Sequence, residues 1–222
     1  MACITYEDFT VACLEFVKMS EKLGDNWKIR GNVQEEGALY LTKTVFIENG
    51  FGDKEETLNR LPFITEKCNT VIAEDQVEES TSLCDEQLEM TDPSAVEILK
   101  PKFFFTYEYH ILYSLSHSVP TLYFNAWHSS GKLLTLEEIW KSVNSQFKEQ
   151  INQNKWESLT QKEHPLLGQP FFQLHPCYTG KLMDQVKLVS HDSRFLYKYL
   201  VSWLSMFGPV IGLELFLNYF LD

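Results

Sequence analysis

Alternation of apolar and polar positions is strongest between Phe103 and Leu115. There Phe103, Phe105, Tyr107, Tyr109, Ile111, Tyr113 and Leu115 share one face, and Thr106, Glu108, His110 and Ser114 share the other. A period of two sustained over this length predicts a long, half-buried strand. A turn over Ser116 to Pro120 and the segment Thr121 to Trp127 predict its antiparallel neighbour, closed by Ser129-Ser130-Gly131. Residues 38 to 47 (ALYLTKTVFI), rich in β-branched and aromatic types, predict a further strand ending at Asn49-Gly50, with a short strand at Trp27 to Ile29 before it.

Elsewhere the period lengthens to that of a helix. Phe9, Ala12, Cys13, Phe16 and Leu23 line one face of a segment that opens with Thr5 three residues before Asp8 and stops at Gly24, so a helix is predicted over residues 6–23. A second Thr-x-x-Glu pattern, Thr135 with Glu138, opens a helix whose face is Ile139, Val143, Phe147 and Ile151. A loop over residues 152–169 leads to a short apolar stretch, Pro170 to Leu174, and then to His175-Pro176-Cys177. Phe195 to Phe207 predicts another helix, ended by Gly208-Pro209. Tyr199 to Leu213 carries no charge, but fifteen residues interrupted by Gly-Pro fall short of the ~20 that cross a bilayer, so a buried core helix is expected. Helix, meander, helix, reactive loop, helices is the order of an α+β domain.

Composition sharpens this picture in three ways. The chain has 222 residues, 44% of them hydrophobic and 14% aromatic, enough for one substantial core. Its net charge of −12 offers no basic stripe for phosphates, which makes protein partners the expectation over nucleic acid. Residues 51–100 hold thirteen Asp/Glu against four Lys/Arg, a net −9, and read as an acidic, mobile insertion within a single domain spanning 1–222. The five cysteines, Cys3, Cys13, Cys68, Cys84 and Cys177, show neither a C-x-x-C pair nor a repeated spacing, so free thiols in a reducing, cytosolic compartment are expected. No secretory or basic transit pattern opens the chain.

Candidate chemistry concentrates at Cys177. Pro176 cannot continue a ladder or a helix, so the chain must turn after Leu174 and display the thiol, with the His175 imidazole two residues away and Tyr178, Thr179 and Lys181 following. On spacing alone such a cysteine is more often inert. The rival readings are a thiol hydrolase drawing a base from His110, His117, His128, His164, His175 or His191, a non-catalytic adaptor, and, ranked last, a zinc site of His164, His175 and Cys177.

The run Gly168-Gln169-Pro170-Phe171-Phe172-Gln173-Leu174-His175-Pro176-Cys177 resembles the active-site segment of the ubiquitin-like-conjugating enzymes of autophagy, whose His-Pro-Cys motif presents the catalytic cysteine. Tyr107 to Ser114, Val119 to Phe124, Leu134 to Trp140, and Ser202 to Ser205 with Gly208-Pro209-Val210 resemble the same family in the same order, so that about half of the chain is covered. The resemblance implies a ubiquitin-conjugating-enzyme-like fold, an antiparallel meander with flanking helices. It also implies an acyl transfer through a Cys177 thioester that needs no cofactor. The implied partners are an activating enzyme (autophagy protein seven), a modifier (autophagy protein twelve) and an acceptor (autophagy protein five). Ubiquitin-conjugating enzymes usually carry His-Pro-Asn upstream of their cysteine, and no such Asn exists here. His175 is the nearest substitute, with Tyr107, Tyr109 and Asn125 as candidate oxyanion or lysine-positioning donors. The second face of the strand pair, expected to point outward with His110 and Trp127 on it, is the candidate surface for acceptor recognition.

Overall fold

The computed structural model describes residues 3–48, 104–143, 159–185 and 194–221, all of which belong to one compact unit. The acidic stretch 51–100, together with Phe147, Ile151 and His191, lies outside the described residues.

Helix α1 (Tyr6–Leu23) begins at the expected capping box: Asp8 N–H donates to Thr5 Oγ1, and Thr5 N–H donates to the Asp8 carboxylate. It ends at Gly24, whose φ of 67° lets its N–H turn back onto the last carbonyls. A six-stranded, wholly antiparallel sheet follows. Its strands are β1 (Lys28–Arg30), β2 (Tyr40–Glu48), β3 (Phe104–Ser114), β4 (Val119–His128), β5 (Leu159–Glu163) and β6 (Pro170–Leu174), in the spatial order β1-β2-β3-β4-β6-β5. Between β4 and β5 stands α2 (Leu136–Ser142), opened by the Thr135–Glu138 capping box. It is shorter than the predicted helix. Ser142 Oγ donates back to Ile139 O, and Val143 leaves helical geometry with ψ 131°. After β6 come a 3-10 turn (Pro176–Tyr178), α3 (Thr179–Gln185) and α4 (Phe195–Phe207), then 3-10 turns at Gly208–Ile211 and Leu217–Phe220.

The expected α+β architecture is therefore present, and the register of β3 with β4 explains its core. Tyr107, Tyr109 and Ile111 face Ala126, Phe124 and Leu122, and this row joins Phe9, Cys13 and Phe16 of α1 with Leu200, Trp203 and Leu204 of α4 in the main core. The uncharged C-terminal stretch is buried core in α4. No helix among the described residues is long and apolar enough to cross a membrane. Strand β5, placed within the predicted 152–169 loop, is the element the sequence pattern missed: LTQKE is an edge strand with one buried residue, Leu159, and shows no alternation to read.

The chain passes from β1 to β2 through Gly31 at φ 83°, where an added Cβ would sit 1.8 Å from Ala38 O. Both the left-handed backbone and the close approach require glycine. Gly31→Ala is expected to lower unfolding free energy by at least about 2 kcal/mol, read from urea midpoints.

Candidate active site

Strand β6 places the cysteine. It pairs with β4 through Leu122–Leu174, Tyr123–Gln173 and Phe124–Phe172, and with β5 through five further residue pairs, so it is an interior strand held on both edges. Phe172 and Leu174 enter the main core, while Phe171 joins Leu112, Tyr123 and Tyr40 in a smaller cluster on the opposite face. Immediately past the last pair the chain turns at Pro176, and Cys177 emerges exposed in the 3-10 turn. Its backbone N–H donates to His175 Nδ1 at 3.2 Å, and Thr179 N–H donates to Pro176 O. An N–H can only be met by an unprotonated ring nitrogen, so His175 is the neutral Nε2–H tautomer. His175 thus caps the turn that displays the thiol. Across from it, on the β3–β4 turn, the His117 ring stands edge-to-face at 5.6 Å.

The remaining thiols differ. Cys13 is fully buried in the core, which pushes its thiol pKa well up and leaves it inert, whereas Cys3 is exposed with its Sγ 3.8 Å from His117 O. Cys68 and Cys84 lie outside the described residues.

Several candidate residues stand elsewhere. Tyr109 is fully buried on the helix-side face, and its hydroxyl donates to Ile211 O at 3.0 Å. Tyr107 lies on the same face, two residues further from Cys177, with its hydroxyl 3.4 Å from Ser142 Oγ. Burial raises both phenol pKa values, so neither is an exposed donor at the thiol. Asn125 sits beyond the pair Phe124–Phe172, and its Nδ2 donates to Pro170 O at the start of β6. Four steps of strand, about 13 Å, separate Pro170 from Leu174. His164 is likewise at the far end, in the β5–β6 turn, so the structure does not bring it to His175 and Cys177, and no metal-holding group of three ligands occurs among the described residues.

His110 is the clearest correction. Alternation does place it on the second face of β3, opposite Tyr123, but it is 2% exposed because the β5–β6 turn covers it. Phe171, Tyr40 and His164 pack around its ring. A directed chain of hydrogen bonds runs through the pair. Leu166 and Leu167 N–H both donate to His164 Nδ1 at 3.2 Å, so His164 Nε2–H donates to His110 Nδ1 at 3.0 Å, leaving His110 Nε2–H for the Glu108 carboxylate at 3.0 Å. The hydrogen bond from His110 lowers the Glu108 pKa against its partial burial. Burial, with the His110 charge adding, pushes His164 down to about 4. Trp127, opposite Thr106 in the β3–β4 register, is half-buried, with its backbone bridged to Leu133.

The site is thus an exposed thiol just past the end of an interior strand, its backbone N–H capped by a neutral imidazole. The family model for the autophagocytosis-associated protein active-site domain matches residues 8–218, a span that includes Cys177. The chain is 38% identical to the human ubiquitin-like-conjugating enzyme ATG10, over 93% of this chain and 88% of that protein. It is 32% identical to the Arabidopsis thaliana ubiquitin-like-conjugating enzyme ATG10, over 96% and 92%. The crystal structure of the autophagic E2 Atg10 aligns over 96% of this chain and 99% of that one, at 16% identity and a TM-score of 0.46, too loose a match for residue-level use. The chain belongs to the ATG10 family of ubiquitin-like-conjugating enzymes, and is thus a ubiquitin-like protein transferase of autophagy.

The His164 pKa predicts an acid-sensitive fold. The unfolded histidine binds a proton below about 6.5 and the folded one only below about 4, so stability is full above 6.5 and is lost as pH falls between these values, by up to about 3 kcal/mol. His164→Gln, which takes up no proton, is expected to flatten that limb. Urea midpoints at pH 7 and pH 5 that fall equally in both proteins would place the proton uptake elsewhere.

Proposed function

We propose that Cys177 accepts autophagy protein twelve as a thioester from the activating enzyme, autophagy protein seven, and transfers it to a lysine of autophagy protein five, in the cytoplasm. The observation that carries this reading is the exposed Cys177 thiol at the end of β6, within the span of the family's active-site domain. In loading, the Cys177 thiolate attacks the modifier's C-terminal glycyl thioester, a C–S bond forms, and the activating enzyme's thiolate leaves. In discharge, the deprotonated lysine amine attacks the same carbonyl. The C–N bond forms, Cys177 leaves as thiolate, and the amine's extra proton passes to solvent or a neighbouring base. The first exchange is nearly isoenergetic and the second needs chiefly orientation, so this chain uses no nucleotide or cofactor. His175 serves by holding the loop. The whole chain works as one conjugating domain, with residues 51–100 inserted in it.

For acceptor contact the candidate that remains accessible is Trp127, since His110 is buried beneath the β5–β6 turn. Trp127→Ala is expected to slow discharge to the acceptor in single-turnover assays while loading of Cys177 stays unchanged. Equal discharge rates would remove this face from acceptor recognition.

The central test is reconstitution with activating enzyme, modifier and ATP. Cys177→Ser is expected to trap the modifier as an oxyester that survives thiol reductant and is cleaved by hydroxide. Cys3→Ser, Cys13→Ala, Cys68→Ser and Cys84→Ser are expected to retain transfer. A reductant-labile adduct on Cys177→Ser would assign the thioester to another cysteine.

A further inference from the structure

We propose that His117, on the β3–β4 turn, is a positioning residue for the thioester-bearing Cys177, acting through the His175 ring. This rests on the reading that Cys177 carries the modifier.

Pro176 has no N–H, so the first donor of the 3-10 turn is Cys177 N–H, and its hydrogen bond is to a ring atom, His175 Nδ1. A bond to a ring atom depends on the ring's rotation as well as on the side chain's direction. An imidazole flipped about its Cβ–Cγ bond would present Cδ2 in place of Nδ1 and leave the amide without its partner. His175 is half-buried, and the ring that bears on it from the neighbouring turn is His117, nearly perpendicular to it at 84° with centroids 5.6 Å apart. Such edge-to-face contact, even from the exposed His117, favours one ring plane over its alternatives.

His117 is itself anchored. Ser114 Oγ and Ser116 Oγ lie 3.1 and 2.9 Å from its Nδ1. Its turn is closed by Ser118 N–H donating to Ser114 O at 2.8 Å, and is tied to the segment before α1 by Ile4 N–H donating to Ser118 O at 3.1 Å. Rigidity therefore passes from the β3–β4 turn, through two imidazoles, to the backbone of Cys177. The thioester carbonyl inherits its orientation from that backbone, and aminolysis is sensitive to the direction from which the lysine approaches. Loading, in which the activating enzyme presents the modifier to a small, exposed thiolate, makes a weaker demand on loop geometry.

The test uses the full chain loaded with modifier and discharged in a single turnover. His117→Ala is expected to slow discharge about tenfold, while His117→Phe, which keeps a ring but loses the Ser114 and Ser116 hydrogen bonds to Nδ1, is expected to slow it by less. Amide hydrogen exchange at Cys177 in the isolated chain is expected to speed up in His117→Ala, and by less in His117→Phe. The double variant Ser114→Ala, Ser116→Ala, which leaves the ring but frees it, is expected to shift both readouts in the direction of His117→Ala, and serves if the latter fails to fold. An unchanged discharge rate in folded His117→Ala overturns the proposal, as does a His117→Phe protein slower than the double serine variant, which keeps the imidazole without its anchors; that result would make His117 a proton acceptor. The exchange measurement needs no modifier, so a failure to find the modifier on Cys177 would refute the thioester reading without being confused with a failure of the histidine contact.

Discussion

The site depends on three rungs of β-ladder, the pairing of Leu122, Tyr123 and Phe124 in β4 with Leu174, Gln173 and Phe172 in β6. Strand β6 is five residues long, yet it is an interior strand, and Phe172 and Leu174 point into the same core as Phe9, Phe16 and Trp203. A slip of one residue would turn both out of that core and drive Gln173 into it, so the hydrophobic effect fixes the register that positions Cys177. Pro176 then ends the ladder two residues past its last pair. Core packing and the location of the thiol are one constraint, set by the alternation Phe171-Phe172-Gln173-Leu174 and the proline that follows.

Much of this was legible in the residues. The two capping boxes and the alternation through Phe103 to Leu115 mark α1, α2 and β3 because each signal is local: a side chain bonded three residues away, or a period of two along one strand. The His-Pro-Cys segment was legible for the same reason, since a proline after an apolar run must break a strand. What escaped was set by distant parts of the chain. Strand β5 is stabilised by its partner rather than by its own composition. Tyr109 is committed to Ile211, 102 positions away, and His110 is covered by His164, 54 positions away. Asn125 and Cys177 belong to adjoining strands but to opposite ends of them, which no spacing reveals. His117 gave no sequence signal beyond being one of six histidines, and its significance comes from the fold bringing its turn beside His175.

The use of histidines beneath the β5–β6 turn has a specific cause. The turn aims the N–H groups of Leu166 and Leu167 at the buried His164 ring, and His164 Nδ1 accepts from both. An apolar residue there would take the protein acceptor from both donors. Choosing imidazole fixes the next step, because His164 Nε2–H must then be accepted in turn. His110 Nδ1 accepts it, and Glu108, about one third exposed, ends the chain. Each member is justified by its neighbours, so the network is stabilising only when complete.

The same device recurs at the other end of β6. His175 Nδ1 accepts the Cys177 N–H just as His164 Nδ1 accepts those of Leu166 and Leu167. The strand that carries the cysteine is therefore bracketed by two imidazoles acting as backbone acceptors, each able to do so only while neutral. An aliphatic side chain would pack as well in either place but would satisfy no donor. A carboxylate would accept from the donor, but it would bring a negative charge into the apolar aromatic cluster at one end and next to the Cys177 thiol at the other. Neutral imidazole meets both demands, a ring flat enough to pack against Phe171 or His117 and a lone pair for the backbone, which accounts for an uncharged aromatic acceptor at both ends of the strand.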